Sequence, residues 1–94
     1  MSLTETPPLR VSGKTDPAKL AKTIALTLRD TCPRLKVRAM GPHAVNQTVK
    51  GLILARQFLA ATNHDFDIVP AFDTQKEGDD EVTVIVFSLA LIDD

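Results

Sequence analysis

The apolar positions in the first third of the chain change from a short alternating run to helical spacing. Residues Leu9 to Ser12 predict a short strand, and Asp16 to about Asp30 predict a helix. Asp16 followed by Pro17 is typical of an N-cap and a first helical residue, and Pro33 ends the segment. The apolar face of this helix consists of Leu20, Ala21, Ile24, Ala25 and Leu28.

The next segment, RLKVRAM over residues 34–40, alternates cationic and apolar side chains. A period of two predicts a strand that carries Arg34, Lys36 and Arg38 on one face. Gly41-Pro42 then begins a second helix that runs to about Ala61. Its second half, GLILARQFLAA, is apolar on more than one face, which indicates that more than one surface covers it.

The last third of the chain predicts two strands separated by a polar loop. The strands run from Asp65 to Phe72 and from Val82 to Ile92, and residues 73–81 with Gly78 suit a hairpin tip. From Val84 the fourth strand is apolar on both faces apart from one serine, which is typical of a central strand. Two helices cover only one sheet face, so a homodimer interface is predicted to cover the other. The predicted interface residues are Phe58, Phe87 and Leu89.

The resulting order, β-α-β-α-β-β, predicts an α/β fold of the two-layer α+β type. Right-handed β-α-β connections place both helices on the same face of one four-stranded mixed sheet. The length of 94 residues fits one domain. Residues 1–8, which contain Pro7-Pro8, are predicted to be a flexible N-terminal arm, and residues 9–94 form the domain.

The formal charge of −1 hides a strong asymmetry along the chain. Residues 1–60 contain 10 Lys/Arg and 3 Asp/Glu, whereas residues 61–94 contain 1 Lys and 9 Asp/Glu. This distribution fits a basic surface and an acidic surface that serve different partners. It fits equally well a fold that interleaves the two halves into mixed, solvated charge.

Neither an enzyme nor a metal site is indicated by the residues. Cys32 is the only cysteine, and the two histidines are 21 positions apart, so no zinc spacing exists. The acidic residues Glu77, Asp79, Asp80 and Glu81 lack the spacing of a calcium loop and fit a solvated hairpin tip. No cofactor is therefore expected. The opening residues contain no apolar core, so a signal peptide is not expected and a cytoplasmic location is.

The triplet Gly13-Lys14-Thr15 resembles the end of a phosphate-binding loop. The glycine that such a loop needs five positions earlier is replaced by Pro8, which has no N–H group. The carboxylate of Asp16 would also occupy the place of a triphosphate. Bound nucleotide is therefore not expected, although Lys14 remains a candidate for contact with phosphate.

The stretch GPHAVNQTVKGLILAR, residues 41–56, combines a helix N-terminus with polar side chains. Free N–H groups and the helix dipole attract anions there, and Asn and Gln suit phosphate, sugar or base edges. In the alternative interpretation, these two side chains only tie down the preceding loop. The candidate residues are His43, Asn46, Gln47 and Lys50.

VSGKTDP, AMGPHAVNQTVKGLILAR and DIVPAF together resemble the bacterial stage V sporulation protein S family, within the Alba-like nucleic-acid-binding proteins. The resemblance extends over about residues 9–92. It implies an Alba-like fold and a homodimer that binds DNA or RNA as a non-enzymatic regulator of sporulation or development. Lys14 is the first implied contact, followed by Asn46, Gln47 and Lys50; Arg34, Lys36 and Arg38 are secondary candidates.

Two features depart from this family pattern. Pro42-His43 replaces the small residues that usually follow the glycine, and the hairpin over residues 77–81 is acidic. Acid repels phosphate and argues against a duplex clamp by the hairpin. The alternative function is a regulatory protein–protein interaction module without nucleic-acid contact, with a protein partner at the acidic hairpin.

Overall fold

The computed structural model describes residues 7–92, and its elements follow the predicted order. Most of the predicted N-terminal arm, residues 1–6, lies outside the described residues. The elements are β1 (Leu9–Val11), α1 (Pro17–Leu26), a π-helical turn (Thr27–Thr31), β2 (Arg34–Ala39), α2 (Pro42–Ala60), β3 (Asp65–Glu77) and β4 (Asp80–Ile92).

The first helix begins where the sequence predicts it. The Asp16 carboxylate accepts a hydrogen bond from the Ala18 N–H at 3.0 Å, and Pro17 is the first helical residue. At the other end the helix widens into the π-helical turn, where the Cys32 N–H donates to the Thr27 carbonyl at 2.8 Å. The wider turn closes the helix directly before Pro33.

The four strands form one mixed sheet in the order β1-β2-β4-β3. β1 pairs with β2 in parallel, and both neighbours of β4 are antiparallel to it. The predicted central position of β4 is confirmed. Since β4 is antiparallel to β2, the turn between β3 and β4 lies at the same end of the sheet as the loops that enter both helices.

Both helices pack on one face of this sheet, as predicted, and the core lies between the two layers. Val37, Phe87 and Leu89 contribute from the sheet, and Ile24 and Leu59 contribute from the helices. This placement corrects the predicted dimer interface for two residues. Phe87 is 7% exposed and Leu89 is 2% exposed, because β4 turns both side chains toward the helices of the same chain.

The polar segment over residues 73–81 is not a loop, contrary to the prediction. β3 continues to Glu77 and β4 begins at Asp80, so only Gly78 and Asp79 form the turn. Gly78 has a φ of 66°, a left-handed conformation that glycine adopts at low cost and that two-residue hairpins require. These strand residues can be polar because this part of the hairpin extends beyond the last residue of β2 and is mostly exposed.

The second face of the sheet, called the open face here, is not covered by a helix. Alternation and register place uncharged side chains of β4 along its middle, including Val84 and Val86. The cationic side chains on this face come from β1 and β2, and the carboxylates come from β3 and the start of β4. They are Arg10, Arg34, Lys36 and Arg38, and Asp67, Asp73, Glu77 and Asp80. Asp65 shares the alternation of this carboxylate row but pairs with Arg56 of α2 at the start of β3.

One ion pair crosses the middle of the open face. The Arg38 Nη1 donates to Asp73 Oδ2 at 2.7 Å, and the register places the pair above β4 between Val84 and Val86. This hydrogen bond, together with the Thr74 N–H, holds the pKa of Asp73 below its usual range. Val84 lies under this crossing and is 2% exposed, although it lies outside the core.

Neither helix in the described part of the chain combines the length and the apolar character that crossing a bilayer requires.

Candidate nucleic-acid interface

Lys14 lies at the tip of a hydrogen-bonded turn that links β1 to α1. The Thr15 N–H donates to the Ser12 carbonyl at 3.1 Å, and the Lys14 N–H donates to Ser12 Oγ at 3.2 Å. The Ser12 N–H donates in turn to Thr15 Oγ1 at 3.0 Å. These amides are used within the turn and cannot surround a nucleotide phosphate, whereas the Lys14 side chain is exposed.

The turn that carries Lys14 lies against the first turn of α2. A Cβ atom placed on Gly13 would be 2.9 Å from the Cβ of His43, so glycine permits this approach. One turn further along α2, the Gln47 side-chain amide donates to the Thr15 carbonyl at 2.8 Å. The structure therefore brings the turn that carries Lys14 against the first turn of α2 and uses the Gln47 amide group to hold it there.

The two helices differ in how their N-termini are capped. The Asp16 carboxylate caps α1, which places a negative charge at that end. Gly41 precedes α2 with a φ of 92° and has no side chain that could cap its first turn. The N-terminus of α2 therefore keeps its partial positive charge for an external anion, directly beside the turn that carries Lys14.

Lys50 and Asn46 are both exposed on α2 and, four residues apart, lie on the same face of the helix. Lys50 continues the stripe of His43 and Gln47, at a spacing that places these three residues on one side. Asn46 borders a hollow on the side of α2 that faces β3, beside Val49 and Phe72. Lys14, His43, Gln47 and Lys50 therefore lie on one side of α2, with Asn46 next to Lys50 at the edge that faces β3.

The cations of β2 do not join the site around Lys14. Arg34 and Lys36 are exposed on the open face, and Arg38 is held by Asp73. The sheet separates this row from the helix layer, so the two sets of cations lie on different surfaces. Arg10 belongs to the same row and was missed from the sequence, although its position between Leu9 and Val11 in a predicted strand would have indicated it.

An exposed apolar surface lies on the helix side, between α2 and β3. Phe72 is 81% exposed and Ile53 is 54% exposed. Val49 lies beside Phe72 in the hollow between the two elements, and Ile68 is on the same side of β3. We call Val49, Ile53, Ile68 and Phe72 the apolar surface. The sequence signal for it was the second apolar face of α2; Phe58, from the predicted interface, is 44% exposed elsewhere on this helix.

The described side chains form no centre for metal chemistry. Within residues 7–92, no three His, Cys, Asp or Glu side chains come together as metal ligands. His43 begins α2 and His64 follows its end, so the whole helix, about 28 Å long, separates the two imidazoles. The Nδ1 atom of His64 shares a hydrogen bond of 2.9 Å with Thr62 Oγ1.

The family model described as Stage V sporulation protein S (SpoVS) matches residues 7–92. The chain belongs to this family. The match extends over the turn with Lys14, the N-terminal half of α2 and the long hairpin, and it confirms the resemblance found in the sequence.

The fold is similar to that of a solved structure, Alba from Thermoplasma volcanium. The superposition has a TM-score of 0.58 at 12% sequence identity and covers 87% of this chain and 96% of that chain. The two helices on one face of a four-stranded mixed sheet are therefore an Alba-like arrangement. At this identity the similarity concerns the fold alone.

Proposed function

We propose that this protein is a non-enzymatic nucleic-acid-binding regulator that contacts the DNA or RNA backbone as a homodimer. The observation that carries the proposal is the approach of Lys14 to the uncapped N-terminus of α2. The ammonium group of Lys14 and the partial positive charge at the N-terminus of α2 then act on the same anion. Phosphate is the anion that a nucleic acid presents repeatedly and without regard to sequence.

Each residue around this position has a separate task. Lys14 and Lys50 neutralise backbone phosphates, and His43 borders the same phosphate at the first turn of α2. Gln47 holds the turn in place through Thr15. Asn46, next to Lys50, donates to sugar or base edges of a strand that passes over α2.

The homodimer forms through the apolar surface rather than through the buried side chains of β4. Phe72 and Ile53 are large apolar side chains that are more than half exposed in the protomer. Burial of an aliphatic or aromatic side chain contributes about 1.5–3 kcal/mol, so this surface has the strongest tendency to leave water. As a homodimer, the protein presents two copies of the Lys14 turn.

The acidic hairpin limits the type of nucleic-acid contact. Its turn lies at the same end of the sheet as Lys14, and Glu77, Asp79, Asp80 and Glu81 repel phosphate there. We therefore propose a short, salt-sensitive contact at the Lys14 turns and no embrace of a duplex by the hairpins. A regulatory role in development and a cytoplasmic location belong to the same proposal.

Fluorescence anisotropy tests this function. Labelled duplex DNA, single-stranded DNA and RNA of equal length are each titrated with protein at several salt concentrations. The proposal predicts binding to at least one of them, with affinity that falls as salt rises, by about 0.9 log units in Kd per log unit of salt for each duplex phosphate contacted. Absence of binding to all three at low salt would reject it.

A second candidate function is a regulatory protein–protein interaction module. The exposed apolar surface and the acidic hairpin favour it, since both suit a protein partner with a cationic rim. The same titration separates the two functions, because this module binds none of the three nucleic acids. Size-exclusion chromatography should then still show the dimer.

A further inference from the structure

A hollow of about 570 Å³ lies on the open face, where β2, β4 and β3 run side by side. This volume is typical of sites that bind small molecules. The hollow exists because β4 contributes only the small side chains of Ser88 and Ala90 to its floor, whereas both neighbouring strands contribute longer ones. Its walls are Arg34 and Lys36 of β2 on one side, and Asp67 and Val69 of β3 on the other.

Opposite charges face each other across this hollow. Arg34 and Asp67 lie at the same level of the sheet, because both pair with Ala90 of the strand between them. Two strand spacings, about 10 Å, separate their Cα atoms. Arg38 and Asp73 close a salt bridge over β4, but neither Arg34 nor Asp67 forms one within residues 7–92. A guanidinium group and a carboxylate are therefore available on facing walls.

The other groups around the hollow supply one more cation, a hydroxyl group and apolar contacts. Lys36 is the next residue on the same face of β2, so the wall of Arg34 is doubly cationic. The partly buried Ser88 hydroxyl forms no hydrogen bond within the described residues. Val69 is 60% exposed on the acidic wall, and Pro8 borders the hollow beside Lys36. Aliphatic surface therefore lies next to both charged walls.

We propose that the hollow binds a small zwitterion of the amino-acid class. Its carboxylate accepts hydrogen bonds from the Arg34 guanidinium group beside Lys36, its ammonium group donates to Asp67, and its aliphatic part contacts Val69. A ligand with only a negative charge would be repelled by Asp67, and one with only a positive charge would be repelled by the opposite wall. The sheet separates this hollow from Lys14, so the inference is independent of nucleic-acid binding.

Titration with L-leucine, followed by NMR at the backbone amides of Ser88 and Ala90, tests the proposal. Because the hollow is open to water, its ion pairs are weak and saturation is expected at millimolar leucine. Leucinamide lacks the carboxylate and N-acetylleucine lacks the ammonium group, so each should bind about tenfold more weakly or less. Absence of saturable shifts with leucine would overturn the proposal, as would equal affinity for leucine and either analogue.

Variants of the two walls locate the binding. Arg34→Gln and Asp67→Asn should each weaken leucine binding about tenfold or more, because each removes one charge-assisted contact. Arg10→Gln and Glu77→Gln are the matched controls, since they remove the same charges from the same face outside the hollow and should leave the affinity unchanged. All four side chains are exposed, and circular dichroism verifies folding. Controls that weaken binding as much as the wall variants would contradict the assigned site.

Discussion

The side-chain amide of Gln47 donates a hydrogen bond to the backbone carbonyl of Thr15 over 2.8 Å, which ties α2 to the turn that carries Lys14. The bond joins residues 32 positions apart and is partly buried. It fixes the position of the turn that carries Lys14 relative to the N-terminus of α2. The sequence left open the alternative that this glutamine only ties down a loop. It does tie down a loop, and in the proposed site this hydrogen bond holds the turn with Lys14 in position.

Replacement of Gln47 by methionine should weaken nucleic-acid binding several-fold without unfolding the protein. The variant keeps the side-chain volume but loses the donor, so the turn moves more freely and Lys14 is less preorganised. Anisotropy gives the Kd and urea unfolding gives the stability. Gln57→Met, at an exposed position of the same helix, is the matched control. Equal Kd values for the two variants would contradict the positioning role.

Gly13→Ala should displace the turn from α2. The new methyl group would lie 2.9 Å from the Cβ of His43, and neither atom is the end of a flexible side chain. Overpacking of this kind typically costs about 1–3 kcal/mol, and the turn can relieve part of it by moving outward. Backbone amide chemical shifts should change at residues 12–15 and at His43. Unchanged chemical shifts at these residues would show that Gly13 does not lie this close to His43 in solution.

Ile53→Asp should dissociate the proposed homodimer into monomers. Association would bury an unpaired carboxylate in an apolar contact, which costs several kcal/mol and raises the dimer Kd by about two orders of magnitude. Multi-angle light scattering measures the mass. Thr23→Asp on the exposed side of α1 should stay dimeric. A dimeric Ile53→Asp protein would place the interface elsewhere, with exposed Phe58 as the next candidate.

The Arg38–Asp73 pair predicts a specific pH dependence of stability. The Arg38 guanidinium hydrogen bond and the Thr74 N–H keep the pKa of Asp73 lower in the folded state than in the unfolded state. The resulting stabilisation is complete above the unfolded value of about 3.9 and disappears as the pH falls through the lower folded value.

Asp73→Asn should therefore be less stable than the parent protein at pH 7, and the difference should narrow below about pH 4. Urea unfolding of both proteins across this range measures it. Asp67→Asn is the matched control, because Asp67 lies on the same face and forms no salt bridge within the described residues. A constant difference between Asp73→Asn and the parent at every pH would exclude the ion pair as its origin.

The element order could be predicted because local chemistry determines it. Asp16-Pro17 begins α1, Gly41-Pro42 begins α2, and the alternation in residues 34–39 specifies β2. The length of the hairpin could not be predicted, because a polar strand without a buried face lacks the alternation that marks a strand. Residues 73–77 form a strand through pairing with β4, and this pairing depends on the turn at Gly78.

The residues of the candidate site could be named from the sequence, but their grouping could not. The turn that carries Lys14 reaches α2 through the approach of Gly13 to His43, and Lys36 lies on the opposite side of the sheet. The predicted interface residues Phe87 and Leu89 show the same difficulty. A strand that is apolar on both faces does not indicate which face meets the helices, so the choice depends on its register with β2.

The central claim is that Lys14 contacts nucleic-acid phosphate. Salt-dependent anisotropy on duplex DNA with Lys14→Ala and Lys22→Ala tests it most directly, because each variant removes one exposed lysine and only the first alters the site. Lys14→Ala should weaken binding and reduce the log–log salt slope by about 0.9 for each Lys14 engaged, or about 1.8 if both protomers contact one duplex. Lys22→Ala should change neither quantity. Indistinguishable affinities and slopes for the two variants would contradict the claim.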